Sequence, residues 1–173
     1  EQTTSSVFAQ LYLDELIKLN DDRAGSIQRN INAAIERLRS FQLTDGGFSY
    51  WPGNSQPNLW GTNYAGHFLI EARKKGYHVP EDMLSKWVSY QQEQANQWNS
   101  ALYTDEHTQA YRLYTLALAG YPSLGAMNRL KGDDLNNNAA QWMLDSAYAL
   151  AGYMDGSNEV IEGLSKEIKE YTE

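Results

Sequence analysis

No cysteine occurs anywhere in the 173 residues. That excludes disulfides, thiolate metal sites and a cysteine nucleophile within this chain, although it fixes no compartment. A basic excess is missing too: 14 Lys and Arg stand against 22 Asp and Glu, a formal charge of −8. Nucleic acid and anionic membrane surfaces both call for a cationic face, so neither is expected as a partner. No apolar run approaches the roughly 20 residues that span a bilayer, and direct membrane insertion is not expected. Signal-peptide character is absent, and the chain opens on Glu rather than Met. The expectation is a mature or excised piece of a longer protein, with any targeting information upstream. Histidine is scarce, and His67, His78 and His107 lack metal-ligand spacing. HExxH, G-x-S-x-G, phosphate-loop and dinucleotide patterns do not occur. No metal site and no cofactor is expected.

Aromatics, in contrast, are plentiful: twelve Tyr and five Trp, enough large side chains for a substantial core. Apolar residues recur at helical spacing almost throughout. A first helix is expected over about 5–19, capped by Thr3, Thr4 or Ser5, with Phe8, Leu11, Tyr12, Leu16 and Leu19 on one stripe. A second, about 23–42, carries Ile27, Ile31, Ile35, Leu38 and Phe41 inward behind an Asp21 or Asp22 cap. Further helices are expected over about 62–75, 80–97, 105–120, 122–130, 136–152 and 157–171. The third ends on Gly76 and the fifth on Gly120, where glycine commonly closes a helix. Pro80 opens the fourth, and Ala139, Trp142, Met143, Ala147 and Leu150 form the inner face of the seventh. No strand of consequence is expected. The endings EARKKGY, LALAGY and YALAGY repeat one plan, a small-residue helix followed by Gly-Tyr. That plan fits stacked helical hairpins in a single all-α domain spanning 1–173.

The helical pattern breaks at LTDGGFSYWPGNSQPNLWG, residues 43–61, with four Gly and two Pro. A loop of this length inside a compact domain is commonly functional or packed upon itself. Asp45, Gly46, Gly47, Phe48 and Trp51 read first as a structural clamp. The two glycines reach backbone angles closed to other residues, Asp45 bonds turn amides, and Phe48 inserts into a neighbouring layer. A second reading makes Tyr50, Trp51 and Trp60 a glycan platform with Asp45 as the acid. Such a site needs a facing carboxylate, and the sequence identifies none.

EQTTSSVFAQLYL, residues 1–13, resembles the segment that follows the thioester cysteine in bacterial alpha-2-macroglobulins, where Cys-x-Glu-Gln precedes Thr-Thr-Ser and a helix. GGFSYWPG, WGTNYAGHFL and QAYRLYTLALAG are similar to that family's complement-like domain, so the resemblance covers essentially the whole chain. It implies an α/α toroid of helical hairpins, terpenoid-cyclase-like, with the ring complete or partial. It also implies an endopeptidase-inhibitor domain rather than an enzyme. In that family the Gln of the motif, here Gln2 beside Glu1, condenses with the cysteine into an internal thioester. Cleavage of a bait region elsewhere moves the domain, and the exposed thioester acylates the trapped protease.

The partners implied are proteases and other domains of the parent chain. The location implied is extracytoplasmic, in the periplasm or at the cell surface, with lipid anchorage through an upstream segment. His107 is the residue whose downstream distance matches a thioester-assisting histidine. The cysteine itself belongs two residues before Glu1, outside this chain. Either the segment begins after it, or the parent is of the subgroup lacking it. The chemistry is coherent: a thiolate of pKa ~8.5 leaves far more readily than an alkoxide or an amide nitrogen. The ester must therefore be kept dry by aromatic surroundings, and amides at a helix start would face its acyl oxygen. Two other classes stay open: a helical-toroid enzyme acting on glycans or polyprenyl substrates, and a non-catalytic helical interaction domain.

Overall fold

The computed structural model describes residues 1–100, 105–133, 135 and 137–153. The helix expected over about 157–171 lies outside the described residues. Eight α-helices and one 3-10 turn follow one another among the described residues: α1 (Gln2–Phe8), the turn Ala9–Tyr12, α2 (Leu13–Leu16), α3 (Asp21–Arg39), α4 (Leu59–Lys74), α5 (Glu81–Gln97), α6 (Glu106–Leu118), α7 (Leu124–Lys131) and α8 (Asn138–Leu150). Extended pairing in this part is limited to two isolated bridges, Gln42 with Phe48 and Ser49 with Pro57. The all-α expectation therefore holds. The chain divides into two compact units, Glu1–Tyr90 and Gln91–Glu173.

In the first unit, α3 follows its sequence pattern closely. Ile27, Ile31, Ala34, Ile35 and Leu38 are buried at three- and four-residue steps, while Phe41 is half-buried. The cap is Asn20, not Asp21 or Asp22: its side-chain oxygen accepts from the Arg23 amide at 2.9 Å. The two aspartates occupy the first turn instead, where carboxylates complement the helix dipole. Asn58 caps α4 in the same way, accepting from the Gly61 amide at 2.7 Å.

The first helix departs from expectation. It starts at Gln2 with Glu1 as its cap residue and no side-chain cap bond. Of the expected caps, Ser5 bonds backwards within the turn, its Oγ to the Glu1 carbonyl at 3.0 Å, and the neighbouring Ser6 Oγ does likewise to the Thr3 carbonyl at 3.1 Å. Such back-bonding satisfies the hydroxyl without restraining the free amides. The helix then tightens into the 3-10 turn, and Ile17 leaves it in extended backbone at φ −142° and ψ 149°. Leu16, expected inward, is accordingly 76% exposed.

The loop between α3 and α4 folds onto its own unit. The Asp45 carboxylate accepts from the Gly47 amide at 3.0 Å, and Gln42 Nε2 donates to the carbonyls of Gly46 and Met83 at 3.2 and 2.9 Å. Gly46 has φ +98°, and a Cβ there would lie 2.1 Å from the Lys86 carbonyl oxygen. Phe48 inserts fully, its amide donating to Thr62 Oγ1 at 2.9 Å. Trp87, also fully buried, donates from Nε1 to the Thr62 carbonyl at 2.9 Å. The loop is thus the clamp that its residues suggest.

In the second unit, α6 packs most extensively on α8, and α7 touches both. Arg112 is buried; its Nε donates to Gln91 Oε1 at 3.2 Å and a terminal nitrogen donates to Gln109 Oε1. Asn137 caps α8 by accepting from the Ala140 amide at 3.1 Å. The inner face of α8 differs from the expected one. Ala139, Trp142 and Leu150 are exposed, whereas Ala140, Leu144, Asp145, Ala147 and Tyr148 are buried. Apolar residues lie on two overlapping stripes of this helix, and the buried one is that of Ala140, Leu144, Ala147 and Tyr148. Asp145 is therefore carried inside, with no hydrogen-bond partner for either oxygen among the described residues. Burial pushes its carboxyl up to about 7, against a partial opposing pull from Lys131.

Two stability outcomes follow. Gly46→Ala adds a backbone collision to left-handed strain and should cost roughly 2–4 kcal/mol. Gly53→Ala, at φ +84° with open space around it, should cost only about 1–2 kcal/mol; equal losses in urea unfolding would contradict this packing. For Asp145, the folded pKa lies above the unfolded one, so the folded state holds the extra proton between about pH 4 and pH 7. Its contribution is harmless below that window, and stability is lost as pH rises through it. Asp145→Asn should raise stability by about 2 kcal/mol or more at pH 8 and leave it nearly unchanged at pH 4, read from paired thermal melts.

Candidate functional site at the head of α1

Seven residues are too few for a helix to persist alone in water, so α1 needs tertiary anchors. Thr4 and Val7 are buried on its inner side. Phe8 closes the end, its ring centroid 5.5 Å from Tyr64, 5.0 Å from His67 and 5.8 Å from Phe68, all on α4. Trp60 extends this group, 4.9 Å from Tyr64. Burial lowers the pKa of His67 despite the nearby Glu71 carboxylate. One turn further, the Tyr12 hydroxyl donates to Glu71, which also accepts from Lys74. These contacts bind the segment to α4, and α1 packs on α3 along its other side.

The anchoring places Gln2, the first residue of α1, where two recesses meet. One is a groove of about 460 Å³ between α1 and α3, lined with Thr3, Ser6, Gln10, Asn30 and Arg37. Asn30 Nδ2 donates to Gln10 Oε1 at 3.1 Å across it. The other is a small hollow of about 80 Å³ walled by Glu1, Phe41, Tyr50, Trp51 and Pro52, with Arg37 again at its edge. Tyr50 donates its hydroxyl to the Glu1 carboxylate at 3.2 Å. Tyr50 and Trp51 meet edge to face at 5.3 Å and 75°. Burial, then the Glu1 charge, raises the pKa of Tyr64, so Glu1 is electrostatically linked to the α4 aromatic group as well.

The residues singled out in the sequence therefore have distinct places. Glu1, Gln2 and Trp51 share the small hollow. Asp45, Gly46, Gly47 and Phe48 form the clamp that presents Tyr50 and Trp51 to it. The Asp45 side chain is engaged with the Gly47 amide. His107 belongs to the second unit, half-buried in the first turn of α6. Arg37 was not singled out by sequence, because a cation in the last turn of a helix reads as an ordinary complement to the dipole. Among the described residues, no three His, Asp or Glu side chains are grouped to hold a metal ion.

Comparison with known proteins bears on the same region. The family model of the A-macroglobulin TED domain matches residues 2–109. Alpha-2-macroglobulin of Xylella fastidiosa is 32% identical over 133 residues, covering 75% of this chain and 8% of that protein. The chain thus spans only a small part of the length of such relatives. In structure, native alpha-2-macroglobulin from Escherichia coli, over a region reaching its C-terminus, is similar with a TM-score of 0.80 at 24% identity, covering 99% of this chain and 29% of that one. Trypsin-activated alpha-2-macroglobulin from the same organism gives a TM-score of 0.76 at 22% identity, covering 95% and 12%. At these identities the likeness is one of fold.

Proposed function

We propose a function from one premise: the chain belongs to the A-macroglobulin TED domain family. Its role is that of a protease-trapping domain in a longer extracytoplasmic inhibitor, with Gln2 as the acyl donor of an internal thioester. The observation that carries this reading is the position of Gln2. It stands at the start of an anchored helix, opening on a small hollow walled by Tyr50 and Trp51. A Cys two residues before Glu1 would reach that side chain. Its thiol attacks the Gln2 carboxamide carbon, the C–N bond breaks, and ammonia leaves with the thiol proton. The product is a high-energy acyl group, long-lived only where water is sparse. Tyr50, Trp51 and Pro52 supply one wall of such a place, and another domain of the parent chain supplies the cover.

Proteolysis removes that cover. A lysine amine or a hydroxyl of the captured protease then attacks the acyl carbon and the thiolate leaves. Each molecule reacts once, so the domain is an inhibitor, not a turnover catalyst. The existence of a trypsin-activated form of the E. coli relative supports a protease as trigger. The helical hairpins of the complete domain close into an α/α toroid, and the protein works in the periplasm or at the cell surface, anchored through an upstream segment. His107 would assist transfer if the closed ring brings it to Gln2.

Intact mass settles the acyl donor. A full-length protein with Cys two residues before Glu1 should weigh about 17 Da less than its sequence, the loss of one ammonia. It should take up methylamine with release of one thiol. Gln2→Ala should restore the full mass and abolish uptake. A full mass and no uptake in the unsubstituted protein would leave the trap without its acyl group.

A further inference from the structure

The groove and the hollow share three residues, Gln2, Thr3 and Arg37. Among the described residues, Arg37 is the one basic side chain lining either. It is exposed, on the last turn of α3, and no ion pair or hydrogen bond engages its guanidinium among the described residues. Arg39, two residues further, lines neither recess and serves the helix end equally well. Arg37 thus borders both recesses together with Gln2. The one carboxylate lining either among the described residues, Glu1, already accepts a hydrogen bond from Tyr50. The groove, lined by polar residues and by Val7, Ala33 and Ala34, is the larger and more open recess, whereas the hollow is small and walled with aromatic rings, so an incoming nucleophile approaches along the groove.

We propose that Arg37 is a specificity-determining residue for the acyl acceptor, favouring nucleophiles that carry a carboxylate close to the attacking amine or hydroxyl. This rests on the reading of Gln2 as a thioester acyl donor. The step balances simply: the amine nitrogen bonds to the Gln2 acyl carbon, the C–S bond breaks, and the amine proton ends on the released thiolate. In that encounter the guanidinium pairs with the acceptor's carboxylate as a planar two-point donor. A lysine flanked by acidic residues is then acylated in preference to one flanked by basic residues. The pairing is near solvent, so its effect is modest and fades with salt.

Glycine and glycinamide, as probes, test this in the full-length thioester protein, with thiol release as the rate. The ratio of the two rates in the unsubstituted protein, divided by the same ratio in Arg37→Met, removes their intrinsic difference in nucleophilicity. That quotient should be about three- to fivefold in favour of glycine at low salt and approach one at 1 M salt. Arg37→Gln should behave as Arg37→Met, Arg37→Lys should keep much of the preference, and Arg39→Met should leave the ratio unchanged. A quotient of one for both Arg37→Met and Arg37→Gln, with thiol released normally, overturns the role of Arg37 alone. No thiol released by either probe, or by methylamine, from the unsubstituted protein overturns the thioester reading and this inference with it.

Discussion

The Phe8 ring sits within 5.0–5.8 Å of three rings of α4, and the position of Gln2 depends on this contact. A helix of seven residues, without a side-chain cap, has little stability of its own. Its hydroxyls are turned inward on its own carbonyls, so they add nothing that would pin the first turn. What holds it is the burial of Thr4 and Val7 and the packing of the half-buried Phe8 ring on α4. The α3–α4 loop is subject to the same constraint from the other side. Gly46 lies against the Lys86 carbonyl and Phe48 is locked to Thr62, so Tyr50 and Trp51 are delivered to the far wall of the hollow. Two independently anchored segments therefore meet at one carboxamide.

That meeting makes chemical sense of an otherwise ordinary glutamine. On an exposed helix start, a glutamine side chain is free to sample solvent. Gln2 is itself exposed, yet it borders an aromatic-walled hollow on one side and an open groove on the other. Under the proposed thioester reading, an acyl group stored there would be covered on the first side and approached along the second. The charges follow the same division. Glu1 is held by Tyr50 on the closed side, and Arg37 stands unpaired where the two sides join.

Much of this fold was legible in the residues. The isoleucines of α3 recur at helical steps, and their burial follows directly. The Asp-Gly-Gly-Phe turn reads as a clamp and is one. The beginning of the chain was less legible, because Ser and Thr bond equally well as caps or backwards along a helix, and only packing decides between them. The face of α8 failed for a related reason: its apolar residues cover more than one stripe, and periodicity does not say which stripe a neighbour covers. Asp145 was carried inside as a consequence. The site divides similarly. Glu1 and Gln2 stood out through a motif, and Tyr50 and Trp51 through their density in a glycine-rich loop. Arg37 did not, since its place beside Gln2 arises from the packing of α1 on α3, which lies some thirty residues away in sequence.

The central claim, that Phe8 fixes the first turn and with it Gln2, is tested most directly by amide hydrogen exchange in this chain and in Phe8→Ala. The account predicts that the amides from Val7 to Leu11 exchange about 30-fold faster in the variant, corresponding to about 2 kcal/mol of local stability, while those of α3 and α4 keep their protection. Unchanged exchange in that stretch would contradict it, and the placement of Gln2 would need another cause.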